Sequence, residues 1–188
     1  MYLLAMAGLP GTGKSTLARA LAAELRAHVI DKDIVRTALF GPHHVDFTRE
    51  QDDLVVRAMF DVAAYLERKD GVRFVILDGR TYVRRAARDS LRAFARATTL
   101  PWSFVECTCA APLALARIAS DRQNGAHLAG NRSAELYHAL AAERDPIEGE
   151  HVLVDTGVGT TDEHVAQCLA QLRARGWSWP APSGVELR

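Results

Sequence analysis

The chain has 188 residues, 48% of them hydrophobic, and its 23 basic residues balance 23 acidic ones. That length and apolar content suit one α/β domain around one core, read as a single domain over residues 1–188, and the zero net charge supplies no general field toward nucleic acid or an anionic membrane. Three cysteines without framework spacing exclude a disulfide-stapled secreted domain, no apolar run is long enough to span a bilayer, and the N-terminus lacks a signal-peptide pattern, so a cytoplasmic protein is expected.

Short apolar runs alternate with stretches of helical period, the pattern of βα units around a parallel sheet. The first predicted strand, 2–7, leads into a helix over 14–26, on which Leu17, Leu21 and Leu25 recur every fourth residue on one face. A second strand, 28–30, ends in Asp31-Lys32-Asp33-Ile34-Val35-Arg36. Thr48 with Gln51 three residues later opens a helix running toward Lys69, with Gly71 as its stop. The run at 73–77 predicts a third strand and is followed by Asp78-Gly79-Arg80. Strands are also predicted at 102–107, with Cys107 and Cys109 alternating along it as buried structural thiols, and at 151–154. Between these last two strands lies a polar stretch, 123–131, with Gly125 and Gly130, that reads as a lid over about 117–132; His127 within it, like His43 and His44, reads as a surface residue. Thr160 with Glu163 opens the last helix, Gly176 closes it, and the tail 177–188 is expected to pack loosely.

The residues that carry chemistry sit at strand ends. Directly after the first strand the chain reads Gly8-Leu9-Pro10-Gly11-Thr12-Gly13-Lys14-Ser15-Thr16, which fits G-x-x-x-x-G-K-[ST]. Glycines let consecutive backbone N–H groups turn inward at a helix N-terminus, making a nest for an anion. Lys14 is then expected to reach the β- and γ-phosphates of ATP, and the Ser15 hydroxyl to ligate Mg²⁺. The glycine spacing does not fit G-x-G-x-x-G, and the segments N-K-x-D and D-x-x-G of GTPases are absent.

Asp33 at the second strand end is expected to accept or orient a hydroxyl proton, with Arg36 one turn on holding the acceptor; the alternative is that Asp33 caps the helix. Asp78 is expected to hold Mg²⁺ through water. Because that strand ends Asp78-Gly79 and not in Asp-Glu, no second carboxylate stands there to polarise water, which favours a bound alcohol as acceptor. Arg117, Arg122 and Arg132 flank the polar stretch, where arginines can neutralise the transferring group; the alternative is a solvated helix face with Arg117 paired to Asp121. Arg80 reads equally as an acceptor contact or a solvated side chain.

On these segments, from Met1 to about Thr156, the chain resembles the small P-loop kinases catalogued as predicted kinases or AAA family ATPases. Polynucleotide kinases and adenylylsulfate kinases carry similar D-x-D-x-x-R segments, and chloramphenicol phosphotransferases and zeta toxins look like more distant relatives. The resemblance implies a three-layer P-loop sandwich with a five-stranded parallel sheet of order 2-3-1-4-5 and helices on both faces. It also implies a catalytic role for Asp33 and Arg36, ATP-phosphate contacts for Arg117 and Arg122, and adenine near Asp155-Thr156-Gly157. The expected reaction moves the γ-phosphate of Mg·ATP to a small-molecule hydroxyl. A 5′-hydroxyl polynucleotide acceptor remains open, although only Lys14, Lys32 and Lys69 are lysines and no basic channel is evident. A nucleotide-dependent regulatory ATPase or switch is the alternative from another class. The oligomeric state is not legible.

Overall fold

A computed structural model describes residues 1–123 and 133–179. The expected lid loop with Gly125, His127, Gly130 and Arg132, and the tail beyond Trp179, lie outside the described residues. The elements, in order, are β1 (Tyr2–Ala7), α1 (Lys14–Leu25), β2 (His28–Asp31), α2 (Lys32–Phe40), α3 (Arg49–Glu67), β3 (Phe74–Asp78), α4 (Arg85–Thr98), β4 (Trp102–Thr108), α5 (Ala111–Gln123), α6 (Ala134–Ala142), β5 (Val152–Asp155) and α7 (Thr161–Ala174). All strand pairs are parallel, and the order is β2-β3-β1-β4-β5, as the resemblance implied.

The sheet is covered on both faces, which is why β1 and β3 read as unbroken apolar runs. Side-chain alternation along β1 sends Leu4 and Met6 to one face and Leu3 and Ala5 to the other. The first set packs with Leu17, Leu21 and Leu25 of α1 and with Cys168 and Leu172 of α7. The second meets Val55, Met59 and Ala63 of α3 and Leu91 of α4. Leu21 has no exposed surface, and truncating such a side chain to Ala costs about 2–5 kcal/mol. This stripe is what pins α1, and with it the loop preceding α1, to the sheet.

Three local findings refine the sequence reading. Thr160 and Glu163 form the complete capping box, whereas Thr48 caps α3 but Gln51 turns to Asp46 N and His44 O instead of back to the cap. Far from packing loosely, the described start of the tail is seated on the core: Trp177 stacks on Tyr2 at 4.6 Å, and Trp179 meets the edge of Phe74 at 5.4 Å. Aromatic pairs of this kind add about 0.5–1.5 kcal/mol beyond area burial, which outweighs the tail's composition. At the β5 margin, Leu153 N donates to Gln171 Oε1 at 3.1 Å while Gln171 Nε2 donates to Leu153 O at 2.8 Å.

Because β1 lies between β3 and β4, the strand order reverses there, and the crevice at its C-terminal end is where an open α/β sheet receives ligands. The ends of β2 and β3 flank it on one side and those of β4 and β5 on the other. Among the described residues, no helix is long and apolar enough to cross a membrane.

Candidate active site

The loop after β1 owes its shape to its glycines. Gly8 has φ 126°, and a Cβ there would lie 2.2 Å from Cys107 O; Gly11 has φ 76°, and its Cβ would lie 2.3 Å from Ala114 O. Both positions combine a left-handed backbone with direct backbone contact, so only glycine fits. Lys14, 5% exposed, donates from Nζ to Leu9 O at 2.6 Å, and Thr12 Oγ1 donates to the same carbonyl at 2.8 Å. Lys14 is thus folded back over the loop. Ser15 and Thr16 follow in the first turn of α1.

Thr156, just past β5, straps the loop from the far side: its Oγ1 donates to Thr12 O at 2.9 Å. Arg117 of α5 donates to Thr156 O at 2.9 Å, to Thr156 Oγ1 at 3.2 Å and to Gly11 O at 3.4 Å. This pairing, and not an ion pair with Asp121, is what the structure records for Arg117. Pro10 edges the loop, and Leu9 packs with Val83, Ala114, Ile118 and Tyr137, joining the loop to α5 and α6. Arg122 is exposed and lines neither of the two cavities described below.

At the end of β2, Asp31 and not Asp33 caps α2, accepting from Asp33 N at 2.8 Å and Ile34 N at 3.3 Å. That removes the capping alternative for Asp33. Asp33 and Arg36 are 6% and 3% exposed, and Arg36 Nη1 donates to Asp33 Oδ1 at 3.0 Å. The other terminal nitrogen of Arg36 binds Asp52 Oδ1, which also accepts from Lys32 Nζ at 2.9 Å. Sequence reasoning missed Asp52, which lies 16 residues from Arg36 in the chain and reaches it because α3 packs on α2. Burial opposes the charge on Asp52, but Lys32, then Arg36 and Arg80, outweigh it and hold this carboxyl below its ordinary value.

The segment after β3 forms the opposite wall. Arg88, 1% exposed, fixes it by donating from Nη1 to Tyr82 O at 3.0 Å, Val83 O at 2.9 Å and Asp145 O at 3.3 Å. Burial pushes the Tyr82 phenol up to about 12, with Arg80 working against the shift. Phe47 and Tyr82 both hold left-handed backbone, φ 55° and 53°, a region costly for aromatic residues and one that clusters at ligand sites.

Two cavities of nearly equal size result. The first, about 590 Å³, is lined by Gly11, Gly13, Lys14, Ser15, Arg117 and Thr156, among others. The second, about 600 Å³, lies between α2, α3 and the 79–84 segment. Lys14 and Asp33 line both. Asp78, at the end of β3, lines neither cavity; it is 2% exposed, and its Oδ1 has no hydrogen-bond partner among the described residues. A buried carboxylate oxygen left in that state calls for a cation or an ordered water. Among the described residues no cluster of three or more His, Cys, Asp or Glu could hold a metal. A site with one hydroxyl and one carboxylate suits Mg²⁺ that arrives on phosphate oxygens, because this ion keeps most of its shell as water and phosphate.

A P-loop mononucleotide fold with its anion nest at the switch point is therefore in place. The family model described as an AAA domain matches residues 3–146. The chain is 35% identical over 184 residues to the adenylyl-sulfate kinase of Myxococcus xanthus (strain DK1622), covering 93% of this chain and 92% of that protein. It is 34% identical over 177 residues to the "Probable bifunctional SAT/APS kinase 2" of Sorangium cellulosum (strain So ce56), covering 90% of this chain but spanning only 28% of that longer relative. The solved Mycobacterium tuberculosis APS kinase, in complex with AMPPNP and APS, shares the fold with a TM-score of 0.69 at 16% identity, over 92% of this chain and 97% of that one. The chain belongs to this AAA-domain family of P-loop proteins, and it is a P-loop kinase.

Proposed function

We propose that the whole chain acts as one domain that transfers the γ-phosphate of ATP to a hydroxyl of a small molecule, with nucleotide in the first cavity and acceptor in the second. The observation that carries this reading is the junction itself: two cavities of about 590 and 600 Å³ share Lys14 and Asp33, so a phosphoryl donor and an acceptor can meet there.

In this mechanism the amides of the Gly8 to Ser15 loop bind the β- and γ-phosphates, and Lys14 leaves Leu9 O to neutralise charge as it develops. Ser15 and Asp78 would hold Mg²⁺, which when bound screens the phosphate oxygens from the attacking hydroxyl. Asp33 accepts the hydroxyl proton at a carboxylate oxygen, and Arg36, held between Asp33 and Asp52, fixes that carboxylate's orientation. Arg117 keeps the loop closed through Gly11 O and the nucleotide side bounded at Thr156. The three free cysteines accord with a cytoplasmic working place, where ATP is available.

The relatives' names make adenylyl sulfate the first acceptor to try. The test is ADP release from Mg·ATP across adenylyl sulfate, sugars, sugar acids, nucleosides, amino alcohols and a 5′-hydroxyl oligonucleotide. Stimulation by a small hydroxyl compound, with phosphorylated product recovered, is the expected result. Stimulation by the oligonucleotide alone would identify a polynucleotide kinase. ATP turnover indifferent to every acceptor would overturn the reading in favour of a regulatory switch.

A further inference from the structure

The charges lining the second cavity are not all accounted for by one another. On one wall Lys32, Asp52, Arg36 and Asp33 form a chain of two carboxylates and two cations, with contacts of 3.0 Å between Asp33 and Arg36 and 2.9 Å between Lys32 and Asp52. Its net charge is zero. At the rim Arg84 is paired with Glu143, while Arg49 and Asp53 are exposed and opposite in sign.

Arg80, on the facing wall, is different. It is half-buried, and among the described residues no carboxylate lies within ion-pair distance of it. Its close contacts are a 3.5 Å hydrogen bond to Ser90 Oγ and the Tyr82 ring, whose centroid lies 5.6 Å from the guanidinium carbon, and it acts on Asp52 only from beyond ion-pair distance. Tyr82, held by the Arg88 clamp on its carbonyl, gives Arg80 a fixed platform in left-handed backbone. A guanidinium held over a ring and lining a cavity can bind an oxyanion through two parallel N–H groups.

We propose that Arg80 selects the acceptor, and that the acceptor is a hydroxyl compound whose carboxylate, phosphate or sulfate group pairs with this guanidinium across the cavity from Asp33. The inference rests on the assignment of the second cavity to the acceptor. The wall opposite adds a further constraint. Asp52 already neutralises Lys32 and Arg36, so an anion beside those cations also meets a carboxylate, whereas Arg80 has no carboxylate within ion-pair distance among the described residues.

The test uses the whole protein saturated with Mg·AMPPNP, so that the loop after β1 is filled and free anions report on the remaining site. Sulfate, phosphate and acetate are titrated separately against thermal unfolding in the wild type, Arg80→Met and Arg80→Lys. At least one oxyanion should raise the unfolding temperature of the wild type, Arg80→Met should lose the response by tenfold or more in anion concentration, and Arg80→Lys should retain part of it; which anion responds distinguishes the sulfate, phosphate and carboxylate sources. In turnover, matched pairs such as gluconate with glucose and glycerol 3-phosphate with glycerol should favour the anionic member. Arg80→Met should raise KM for that member with kcat little changed. No anion response in an AMPPNP-saturated wild type, or an equal response in Arg80→Met, would overturn the role of Arg80. Failure of the wild type to bind AMPPNP would instead overturn the kinase reading on which this one depends.

Discussion

The two cavities that meet at Lys14 and Asp33 are matched in volume but not in construction. The first cavity, proposed for the nucleotide, is shaped by main chain: Gly8 and Gly11 are in backbone contact with Cys107 and Ala114, and Thr156 ties the loop to the end of β5. The second cavity, proposed for the acceptor, is shaped by side chains in ion pairs and by two aromatic residues in left-handed backbone. A backbone-built site has few ways to vary without losing its ligand, whereas a site built from paired charges can change partner by exchanging single residues. One fold can thus keep its phosphate donor and vary its acceptor.

The contrast can be broken by substitution. Gly8→Ala forces a Cβ to within 2.2 Å of Cys107 O at φ 126°. It is expected to remove AMPPNP binding altogether and to cost at least about 3 kcal/mol in thermal unfolding. If Gly8→Ala binds nucleotide normally, the loop is not held by its backbone. Asp33→Asn should lower acceptor-dependent ADP release by about 10²–10⁴-fold while AMPPNP affinity, measured by calorimetry, changes little. Equal losses in both would mean that Asp33 serves the loop and not the transfer.

Asp52→Asn separates the walls more gently. It should raise the acceptor KM several-fold, leave nucleotide affinity unchanged, and cost about 1–2 kcal/mol of stability at neutral pH. Because the folded carboxyl lies below the ordinary value of 3.8, Asp52 stabilises the fold above that pH and loses its contribution as pH falls through the folded value. Acid unfolding followed by circular dichroism should therefore begin at lower pH in the wild type than in Asp52→Asn, and the stability difference between the two should vanish in strong acid. Gln171→Ala, remote from both cavities, should cost only about 0.5–1.5 kcal/mol and leave turnover unchanged.

The loop after β1 was legible in the sequence. Its residues, from Gly8 to Thr16, are contiguous, and each conformational demand is met by a residue type with few substitutes. Strand order followed from the family likeness that this segment carries. The acceptor side was only half legible. Asp33 and Arg36 stood out beside a strand end, but the second partner of Arg36 comes from another helix, and nothing in the spacing of Asp52 announces it. Arg88 gave no signal either, because an arginine on an amphipathic helix reads as solvated until the carbonyls of Tyr82, Val83 and Asp145 converge on it. The start of the tail was misread for a related reason: prolines and glycines suggest looseness, while the docking of Trp177 and Trp179 depends on Tyr2 and Phe74 being adjacent across β1 and β3.

The amide of Gln171 stands beside β5 much as a neighbouring peptide unit would, donating and accepting at Leu153. A margin answered in this way offers an incoming chain no template at its middle residue, so this side of the molecule resists ladder extension and fibre growth.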